Sequence, residues 1–562
     1  MERVMGAFRK PISNVGEAAF LLGLFTFVSQ ILGLLRDRLL AGVFGAGKEL
    51  DIYYAAFRFP DLIFVTVASL VAMSVLIPYL ADAKARGREF FDTLVSDLFL
   101  CFSFAIVIVC VVVFFLIPTL IAHTFSGFSG DDIHKVVLLS RIILLSPIFL
   151  GFSNLLGSVA QVYGRFVSYA IAPALYNLGI ILGTLLLVPQ FGVFGVAVGV
   201  AVGAILHFSI QGLSLKGIVS VRELLSFREK LSTAFGRIKK IVLISIPRTI
   251  ALSSSNLALL GLMSIGSFLG AGAISAFTFG NNLQSVTVSI IGVSFAMAVF
   301  PVLSNLFRAG EMEKMRQEMI NTAKKIIFFT VPAVCFLIVF RAHLVRIVLG
   351  SGKFNWDDTR LVAASLAIFA LSLSFQSLYH LFIRTLYALG DNKKSFYSSI
   401  SGATSMVLAA FIWFKWSAIN PMLGTVLTSL LKVSDVPGTE MLALPIGFVF
   451  GTIVECTLLW VIVEKKMHFT KDILKSIFHS LGAGMLGAAS SYEVLQYTGK
   501  FFILDKFVGL FMHAFIGGVV GLLVMLATLI LLKNEEVDAL LQSFTKRFSG
   551  VKPIAVETDV LS

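Results

Sequence analysis

Long runs of apolar residues follow one another along almost the whole chain, and short polar segments separate them. An α-helix needs about 20 consecutive apolar residues to cross the roughly 30 Å hydrocarbon layer of a bilayer. Fourteen runs reach that length, so the pattern predicts an all-α polytopic membrane protein with 14 transmembrane helices. The predicted spans are 17–41, 50–81, 92–118, 137–161, 166–188, 192–214, 241–268, 273–306, 321–341, 360–388, 395–414, 440–463, 474–495 and 507–532.

The composition agrees with this class. Of the 562 residues, 57% are hydrophobic and 14% are charged, and the mean hydropathy is +0.93. Soluble proteins carry about 25% charged residues, so an ordinary soluble domain is excluded. The four cysteines stand singly in apolar segments, without the spacing of zinc ligands or of a disulfide framework. The basic stretch 1–16 leads to no small-residue cleavage site, which favours a cytoplasmic tail before a retained first span.

The positions of Lys and Arg predict the orientation. If the N-terminus is cytoplasmic, 29 of the 45 basic residues fall in cytoplasmic segments, 10 in the opposite loops and 6 within spans. Cytoplasmic loops are enriched in Lys and Arg, so this split favours two cytoplasmic termini. The net charge of +13 then follows from topology, and it gives no reason to expect a nucleic-acid partner.

Three short motifs recur at nearly one distance along the chain. The GAG at 45–47 returns at 270–272, an offset of 225 residues, and the segment around Pro78 returns around Pro301, an offset of 223 residues. A third, weaker match has an offset of 224 residues. The repeat contains six spans, an even number, so both copies keep one orientation. We therefore expect two six-helix lobes in parallel repeat around a central cavity, with two extra helices at the C-terminal end.

This repeat divides the chain into six predicted parts. The segment 215–240 is basic and amphipathic, and we interpret it as an interfacial helix between the lobes, with a partner-binding helix as the alternative. The parts are 1–16 as a cytoplasmic tail, 17–214 as the N-lobe, 215–240 as a cytoplasmic linker, 241–463 as the C-lobe, 464–532 as the two extra spans and 533–562 as a cytoplasmic C-terminal tail.

The segment 42–49 reads G-x-x-x-x-G-K-E and resembles an incomplete phosphate-binding loop. Such a loop follows a buried strand and carries Ser or Thr after the lysine to hold magnesium. Here a membrane span precedes it and Glu49 replaces the hydroxyl, so we interpret 45–47 as a tight turn between the first two spans. Metalloprotease, serine-hydrolase and paired-carboxylate motifs are absent from the sequence. We therefore expect a protein that is not an enzyme and binds neither a cofactor nor a metal.

Charged residues inside the spans are candidate binding residues. A charge at the bilayer centre costs about 2.5–3.5 kcal/mol on insertion scales, so it normally faces a cavity or a partner. Arg36 and Asp37 lie in the first span, and Asp51 and Arg58 lie seven residues apart on one face of the second. Arginine matches phosphate or carboxylate oxygens in a bidentate way, which favours an anionic substrate. Further candidates in later spans are Arg248, Arg384 and Glu455.

Some of these charges also have a purely structural interpretation. Arg38 and Arg141 are expected to extend their charged ends towards a membrane interface. Asp51 forms either part of the site or an ion pair within the second span. For Glu455, a role in coupling or gating stands beside a hydrogen bond between helices. Asp61 has no obvious partner in the sequence and receives no role.

The first two spans resemble a known family signature. The segment SQILGLLRDRLLAGVFGAGKELDIYYAAFRFPDL, at 29–62, is similar to S-R-x-L-G-x-x-R-D-x-x-x-A-x-x-F-G-A-G followed by D-A-F-x-x-A-F-R-x-P-N-L. That pattern is typical of the MurJ (MviN) family of lipid II flippases. GSGKFNWDDT at 350–359 and IRTLYALGDNKKS at 383–395 resemble two further motifs of the family. The resemblance covers nearly the whole chain.

The resemblance implies the fold of the MOP exporter superfamily, which is MATE-like, with two lobes that rock around a central cationic cavity. The implied substrate is a polyprenyl diphosphate carrying a disaccharide-pentapeptide, which crosses the bacterial plasma membrane for peptidoglycan synthesis. Matched residue by residue, Arg36 would contact the diphosphate, Asp37 and Asp51 would orient it or form gates, and Arg58 takes the family's basic position in the second span. Membrane lipids and cell-wall synthesis proteins are the other implied partners.

The sequence departs from the family pattern where cavity charges are expected. A sodium ligand is also missing, because no Asp or Glu lies between 241 and 303. Gln30 replaces an arginine, Phe64 and Val65 an arginine pair, Ser69 a glutamate and Asn282 an arginine.

These departures leave the cargo and the energy source open. Arg248 and Arg384 would compensate in part for the missing cations. A lipid II flippase is the first interpretation, and a flippase for another polyprenyl-diphosphate glycan is the nearest alternative. A MATE-type cation-coupled exporter would require more cavity carboxylates, and a non-transporting scaffold would not require Arg36. The coupling ion, or coupling to the membrane potential, stays open.

Overall fold

A computed structural model of the chain describes residues 15–70, 73–218, 249 and 253–537, and these residues form helices and turns without a strand. The helices of the first half are α1 (Val15–Phe44), α2 (Lys48–Leu70), α3 (Met73–Arg86), α4 (Arg88–Thr124), α5 (Gly130–Ile143), α6 (Leu145–Val162), α7 (Phe166–Leu186) and α8 (Val193–Ser214). Those of the second half are α9 (253–266), α10 (Ala273–Val288), α11 (Ser294–Arg308), α12 (Met312–Leu349), α13 (Trp356–Ala370), α14 (Leu373–Ala388), α15 (Asn392–Ile419), α16 (Pro421–Leu431), α17 (Ala443–Met467), α18 (Thr470–Thr498) and α19 (Phe507–Leu531).

Each predicted span coincides with at least one of these helices, which confirms an all-α polytopic membrane protein. Within the described residues, nine helical stretches are long and apolar enough to cross a membrane. The pair α13–α14, bent by 45°, makes a tenth. The predicted number of 14 is therefore not confirmed. Part of the shortfall has a clear reason, because α2 carries Arg58 and Asp61, which lower its hydropathy, and 241–252 lies almost wholly outside the described residues.

Glycines allow neighbouring helices to pack closely at equivalent places of the two predicted repeats. In the first repeat, a Cβ added to Gly179 of α7 would lie 2.3 Å from the Cα of Gly203 of α8. In the second, a Cβ added to Gly451 of α17 would lie 2.6 Å from the carbonyl oxygen of Gly402 of α15. Small residues permit this approach between membrane helices. The fifth and sixth predicted spans of each repeat therefore pack in the same manner.

The last two helices, α18 and α19, pack against each other and against α12. His343 of α12 contacts His513 of α19 with 3.1 Å between Nε2 and Nδ1, and Nε2 of His513 donates to the carbonyl oxygen of Leu495 at 2.9 Å. His513 is therefore a packed residue that holds the C-terminal helices to the lobe.

The boundaries of the six predicted parts stay predictions. The tail 1–16, the linker 215–240 and the tail 533–562 lie mostly outside the described residues, which include only 15–16, 215–218 and 533–537 of them.

Candidate functional site

A cavity of about 220 Å³ lies between the two predicted lobes, where α1, α2 and α7 meet α10. Arg36 and Arg58 share it, so the structure brings together the two arginines that the sequence placed in the first two spans. Both arginines line a cavity with polar groups, as expected for charges within apolar helices. The polar lining consists of Arg36, Arg58, Asp61, Thr278, Asn282 and the tyrosines Tyr53, Tyr54 and Tyr176.

Arg36 is held in place by a carboxylate and an amide. Its Nη2 and Nε donate to Oδ1 of Asp37 at 2.8 and 2.9 Å, and its Nη1 donates to Oδ1 of Asn177 on α7 at 3.0 Å. Gly33, one turn before Arg36, lies beside that amide, and a Cβ there would make only an ordinary van der Waals contact of 4.0 Å with Nδ2 of Asn177. The Arg36 side chain keeps 24% of its surface exposed. It is therefore oriented and still accessible to a ligand.

Asp37 connects the two lobes. Its Oδ1 accepts from Arg36 within the N-lobe, and its Oδ2 accepts from Nδ2 of Asn282 on α10 at 2.9 Å. The Asp37 side chain is only 4% exposed, so both bonds lie away from water. Any ligand that draws Arg36 away from Asp37 thus acts on a contact between the lobes.

Arg58 and Asp61 lie one turn apart on α2 and face the same cavity. They are close enough for charge–charge attraction, but no ion pair joins them among the described residues. Nε of Arg58 and the hydroxyl of Tyr54 are buried, and neither has a hydrogen-bond partner in the described part of the chain. An unpaired buried polar group costs roughly 1–3 kcal/mol. The cavity therefore presents donors that a polar ligand would satisfy.

Asp51, at the start of α2, caps a helix of the opposite lobe. Its Oδ2 accepts from the backbone N–H of Gly272 at 2.6 Å and its Oδ1 from that of Ser275 at 2.7 Å. These are N–H groups at the N-terminus of α10, where a negative charge is favourable. The alternative interpretation, an ion pair between Asp51 and Arg58, is therefore wrong. The capped contact closes the cavity on the side of the 45–47 turn.

Two further contacts join the lobes on the same side. Arg38 donates to the carbonyl oxygens of Ile347 and Gly350, at 2.7 and 3.2 Å, at the C-terminus of α12. The N–H of Lys353 donates to the carbonyl oxygen of Gly42 at 2.8 Å. In the structure the charged end of Arg38 binds the carbonyl end of α12, and its expected extension to a membrane interface stays a prediction.

The turn at 45–47 is confirmed. Gly45 has a φ of +69°, and α2 begins at Lys48 directly after it. The equivalent turn of the second repeat packs against it, since a Cβ on Gly272 would lie 2.1 Å from the carbonyl oxygen of Ala46. The two repeated GAG motifs thus meet each other at the boundary between the lobes.

The remaining predicted site residues lie elsewhere. Arg384 of α14 lies over the ring of Phe300, 5.9 Å from its centroid, and it does not line the cavity in the described structure. Arg248 falls outside the described residues. Glu455 is partly buried in α17, where its backbone carbonyl accepts from Ser398 at 3.0 Å. Its packing supports a contact between helices, and its role in coupling stays a prediction.

Sequence reasoning missed the amides and the tyrosines of the site. Asn177 is a polar residue within the apolar run of the fifth predicted span, and that isolation was a usable signal. Asn282 was noted only as a missing arginine. Tyr53, Tyr54 and Tyr176 carried no signal, because aromatic residues are common throughout this chain. In the described ranges, no cluster of His, Cys, Asp and Glu could hold a metal ion.

Comparisons with known proteins agree on one family. The family model described as lipid II flippase MurJ matches residues 40–497. A probable lipid II flippase MurJ of Rickettsia prowazekii is 24% identical over 505 residues, which cover 87% of this chain and 97% of that protein. The lipid II flippase MurJ of Burkholderia cenocepacia is 26% identical over 386 residues, which cover 68% and 74% of the two chains.

Solved structures share the fold. A lipid II flippase MurJ in an inward closed conformation superposes with a TM-score of 0.70 at 23% identity, covering 92% of this chain and 100% of that one. A multidrug resistance MATE transporter of the MOP superfamily, in an inward-facing conformation, gives a TM-score of 0.63 at 15% identity and covers 79% and 96%. The MOP and MATE-like fold is therefore confirmed. Because the family match spans most of the chain, this protein belongs to the lipid II flippase MurJ family, a family of transporters and not of enzymes.

Proposed function

We propose that this protein moves lipid II, the lipid-linked peptidoglycan precursor, from the cytoplasmic to the outer leaflet of the bacterial plasma membrane by alternating access. Membership of the family supports this function, and so does a cavity between the lobes that carries two arginines. Arg36 would bind the diphosphate, since a guanidinium offers parallel donors to phosphate oxygens. Arg58, whose buried Nε lacks a partner among the described residues, would supply a second cationic contact.

One observation carries the proposal, namely that Asp37 accepts from Arg36 of its own lobe and from Asn282 of the other. A diphosphate that engages Arg36 competes with Asp37 for the same donors. Hydrogen bonds to charged groups contribute about 1.5–3 kcal/mol each, so this competition is large enough to change the balance between two arrangements of the lobes. The pair of Arg36 and Asp37 would then take part both in substrate binding and in the movement of the lobes.

The proposed direction of transport follows from the predicted orientation, with both termini in the cytoplasm. In that orientation the 45–47 turn lies on the outer side of the membrane. Asp51 and Arg38 then close the outer side by binding the ends of α10 and α12. The cavity would load from the cytoplasm, and release would require these contacts to open.

A second candidate function is a flippase for another polyprenyl-diphosphate glycan. The observation that favours it is the polar lining, where Asn282 stands in place of a family arginine and Asp61 adds a negative charge. Fewer cations in the cavity would suit a cargo whose recognition depends more on its glycan. The same experiment separates the two functions.

The test is direct lipid binding by the full-length protein in detergent, followed by native mass spectrometry. The offered lipids are lipid II, bare polyprenyl diphosphate and a neutral lipid. We expect both diphosphates to be retained over the neutral lipid, and we expect Arg36→Ala to weaken their binding by roughly 10- to 100-fold, from the loss of about 1.5–3 kcal/mol. The matched control is Arg141→Ala, because Arg141 also lies in a membrane helix but stacks over Phe114 away from this cavity.

Three results would contradict parts of the proposal. Equal retention of all three lipids by folded protein would remove the diphosphate site. Binding of bare diphosphate without any preference for lipid II would favour the second candidate function. Equal losses in Arg36→Ala and Arg141→Ala would mean that the effect is not specific to the cavity. Movement across the bilayer is then measured in proteoliposomes with fluorescent lipid II, where Arg36→Ala should slow transport.

A further inference from the structure

Among the residues that the structure describes, the charges at the cavity are balanced. Arg36 and Arg58 contribute two positive charges, while Asp37, paired with Arg36, and Asp61 contribute two negative charges. The diphosphate that links a polyprenol to a glycan brings two further negative charges into this space, and a bare polyprenyl diphosphate brings at least two. Within a membrane protein such an excess is weakly screened, so a carboxylate in the cavity opposes the arrival of the anion.

The two carboxylates differ in their bonding. Asp37 accepts two bonds from Arg36 and one from Asn282, so all three of its bonds are to fixed side-chain donors. Asp61 lines the cavity, and among the described residues no hydrogen bond or ion pair reaches its carboxylate. Asp61 is therefore the carboxylate that is free to change its protonation when a ligand arrives.

Within the described part of the chain, few groups around Asp61 would keep it charged. Arg58 lies on the same helix and attracts it, and Arg36 of α1 faces the same cavity. In the same described surroundings, Tyr53 of α2 and Tyr176 of α7 are also titratable, and both are neutral phenols at ordinary pH. The side of the cavity formed by α10 is uncharged. A bound diphosphate would take both guanidiniums as partners and would leave Asp61 as an opposing negative charge.

We infer that Asp61 takes up one proton when the diphosphate group binds, so that occupation of the cavity is linked to the uptake of a proton. The inference rests on the proposed function, because it requires a diphosphate in this cavity. The proton comes from water and adds to a carboxylate oxygen of Asp61, and no bond of the substrate is made or broken. The loaded cavity then carries one negative charge fewer than the sum of its parts.

The experiment measures the Kd of bare polyprenyl diphosphate for the full-length protein between pH 5.5 and 8.5. The variants are Asp61→Asn, which imitates the protonated acid, and Asp505→Asn, which removes an exposed carboxylate from the loop before α19. The diphosphate has its own titration, which acts on all three proteins alike, so the informative quantity is the ratio of Kd values. At low pH, wild type and Asp61→Asn should bind equally. As the pH rises, the Kd of wild type should increase relative to that of Asp61→Asn by up to about tenfold per pH unit. The Kd of Asp505→Asn should change in the same way as that of wild type.

The outcomes separate this inference from the proposed function. If wild type and Asp61→Asn both bind with the same dependence on pH, the proton linkage is overturned and the flippase stands. If Asp61→Asn binds more weakly at every pH, Asp61 is a direct ligand contact and the inference is again overturned. A difference that follows sodium concentration at fixed pH would assign a metal cation in place of the proton. If neither folded protein prefers the diphosphate over a neutral lipid, the proposed function itself fails.

Discussion

Replacing Asp51 by alanine removes the carboxylate with which one lobe caps a helix of the other. Asp51 is 2% exposed and accepts from the N–H groups of Gly272 and Ser275 at 2.6 and 2.7 Å. Alanine keeps the helical backbone of α2 but leaves two buried donors of α10 without their acceptor. The expected consequence is that the closed arrangement on the side of the 45–47 turn becomes less stable than the open one.

The size of the effect follows from the two bonds that are lost. Each hydrogen bond to a charged group contributes about 1.5–3 kcal/mol, so the pair contributes at least about 3 kcal/mol. At about 1.4 kcal/mol per tenfold change, the ratio of closed to open molecules should fall by roughly 100-fold. A protein that is about 1% open on this side would become about half open.

The populations are measured by the distance between two spin labels on the side that Asp51 closes. Asp131 at the start of α5 and Asp357 at the start of α13 are exposed and belong to opposite lobes, so cysteines at these positions report lobe separation. The native cysteines to be replaced first are Cys101, Cys110, Cys335 and Cys456. We expect one short distance in the wild type and an added longer distance in Asp51→Ala.

A matched control separates the cap between lobes from capping in general. Oε2 of Glu464 also accepts from two backbone N–H groups, those of Phe469 and Thr470, at 2.9 and 2.8 Å, but these lie in the same C-terminal part of the chain. Glu464→Ala should therefore lower stability without changing the distance distribution. Superposable distributions for wild type and Asp51→Ala would refute the reasoning, and an equal shift in Glu464→Ala would assign the effect to general loosening.

Two further predictions concern the turn and a surface ion pair. The contacts that Asp51 and Arg38 make with the other lobe form a gate on the side of the 45–47 turn. Gly272→Ala should open this gate, because a Cβ there would lie 2.1 Å from the Ala46 carbonyl oxygen and the residue has a φ of +92°. Gly270→Ala, in the same motif but facing open space, should match wild type in the spin-label distances. Lys466, whose Nζ lies 2.8 Å from Asp391, lowers the pKa of that carboxyl. The resulting stabilisation, about 0.2–1 kcal/mol, is present above the unfolded-state pKa of about 4 and is lost as the pH falls through the folded-state value. Asp391→Asn should therefore lower Tm at pH 7 and lower it progressively less as the pH falls below about 4, and an equal difference at all pH values would contradict this assignment.

The elements of the fold that could be predicted are those set by local pattern. Apolar runs of membrane length predicted the helices, and the Gly-Ala-Gly motif between two spans predicted the 45–47 turn, where Gly45 has a positive φ. The position of Arg36 in a cavity was also predictable, because a charge in an apolar helix needs polar surroundings. Each of these features was predictable because its physical cause lies in residues that are close together in the sequence.

The partners of these residues were not predictable, because they depend on contacts between distant segments. Asn177 and Asn282 lie 141 and 245 residues from the groups that they bind. Arg38 shows the difficulty most clearly. The end of a helix and a lipid headgroup both offer oxygen acceptors near a membrane interface, and the sequence does not say which one lies closer. Only the packing of α12 against α1 decides it.

The gate and the cavity are built from different kinds of contact, and this difference determines which of them a side-chain substitution changes. At the gate, Asp51 and Arg38 bind backbone atoms, so one side of each contact is independent of the partner's side chain. In the cavity, the connection from Asn177 through Arg36 and Asp37 to Asn282 uses a side chain at every step. Substitutions in the cavity therefore change its charge directly, while the gate keeps its geometry as long as the helix ends stay in place. A substitution that changes the charge of the cavity can thus leave the contacts between the lobes intact and alter how the charge of the cargo is balanced.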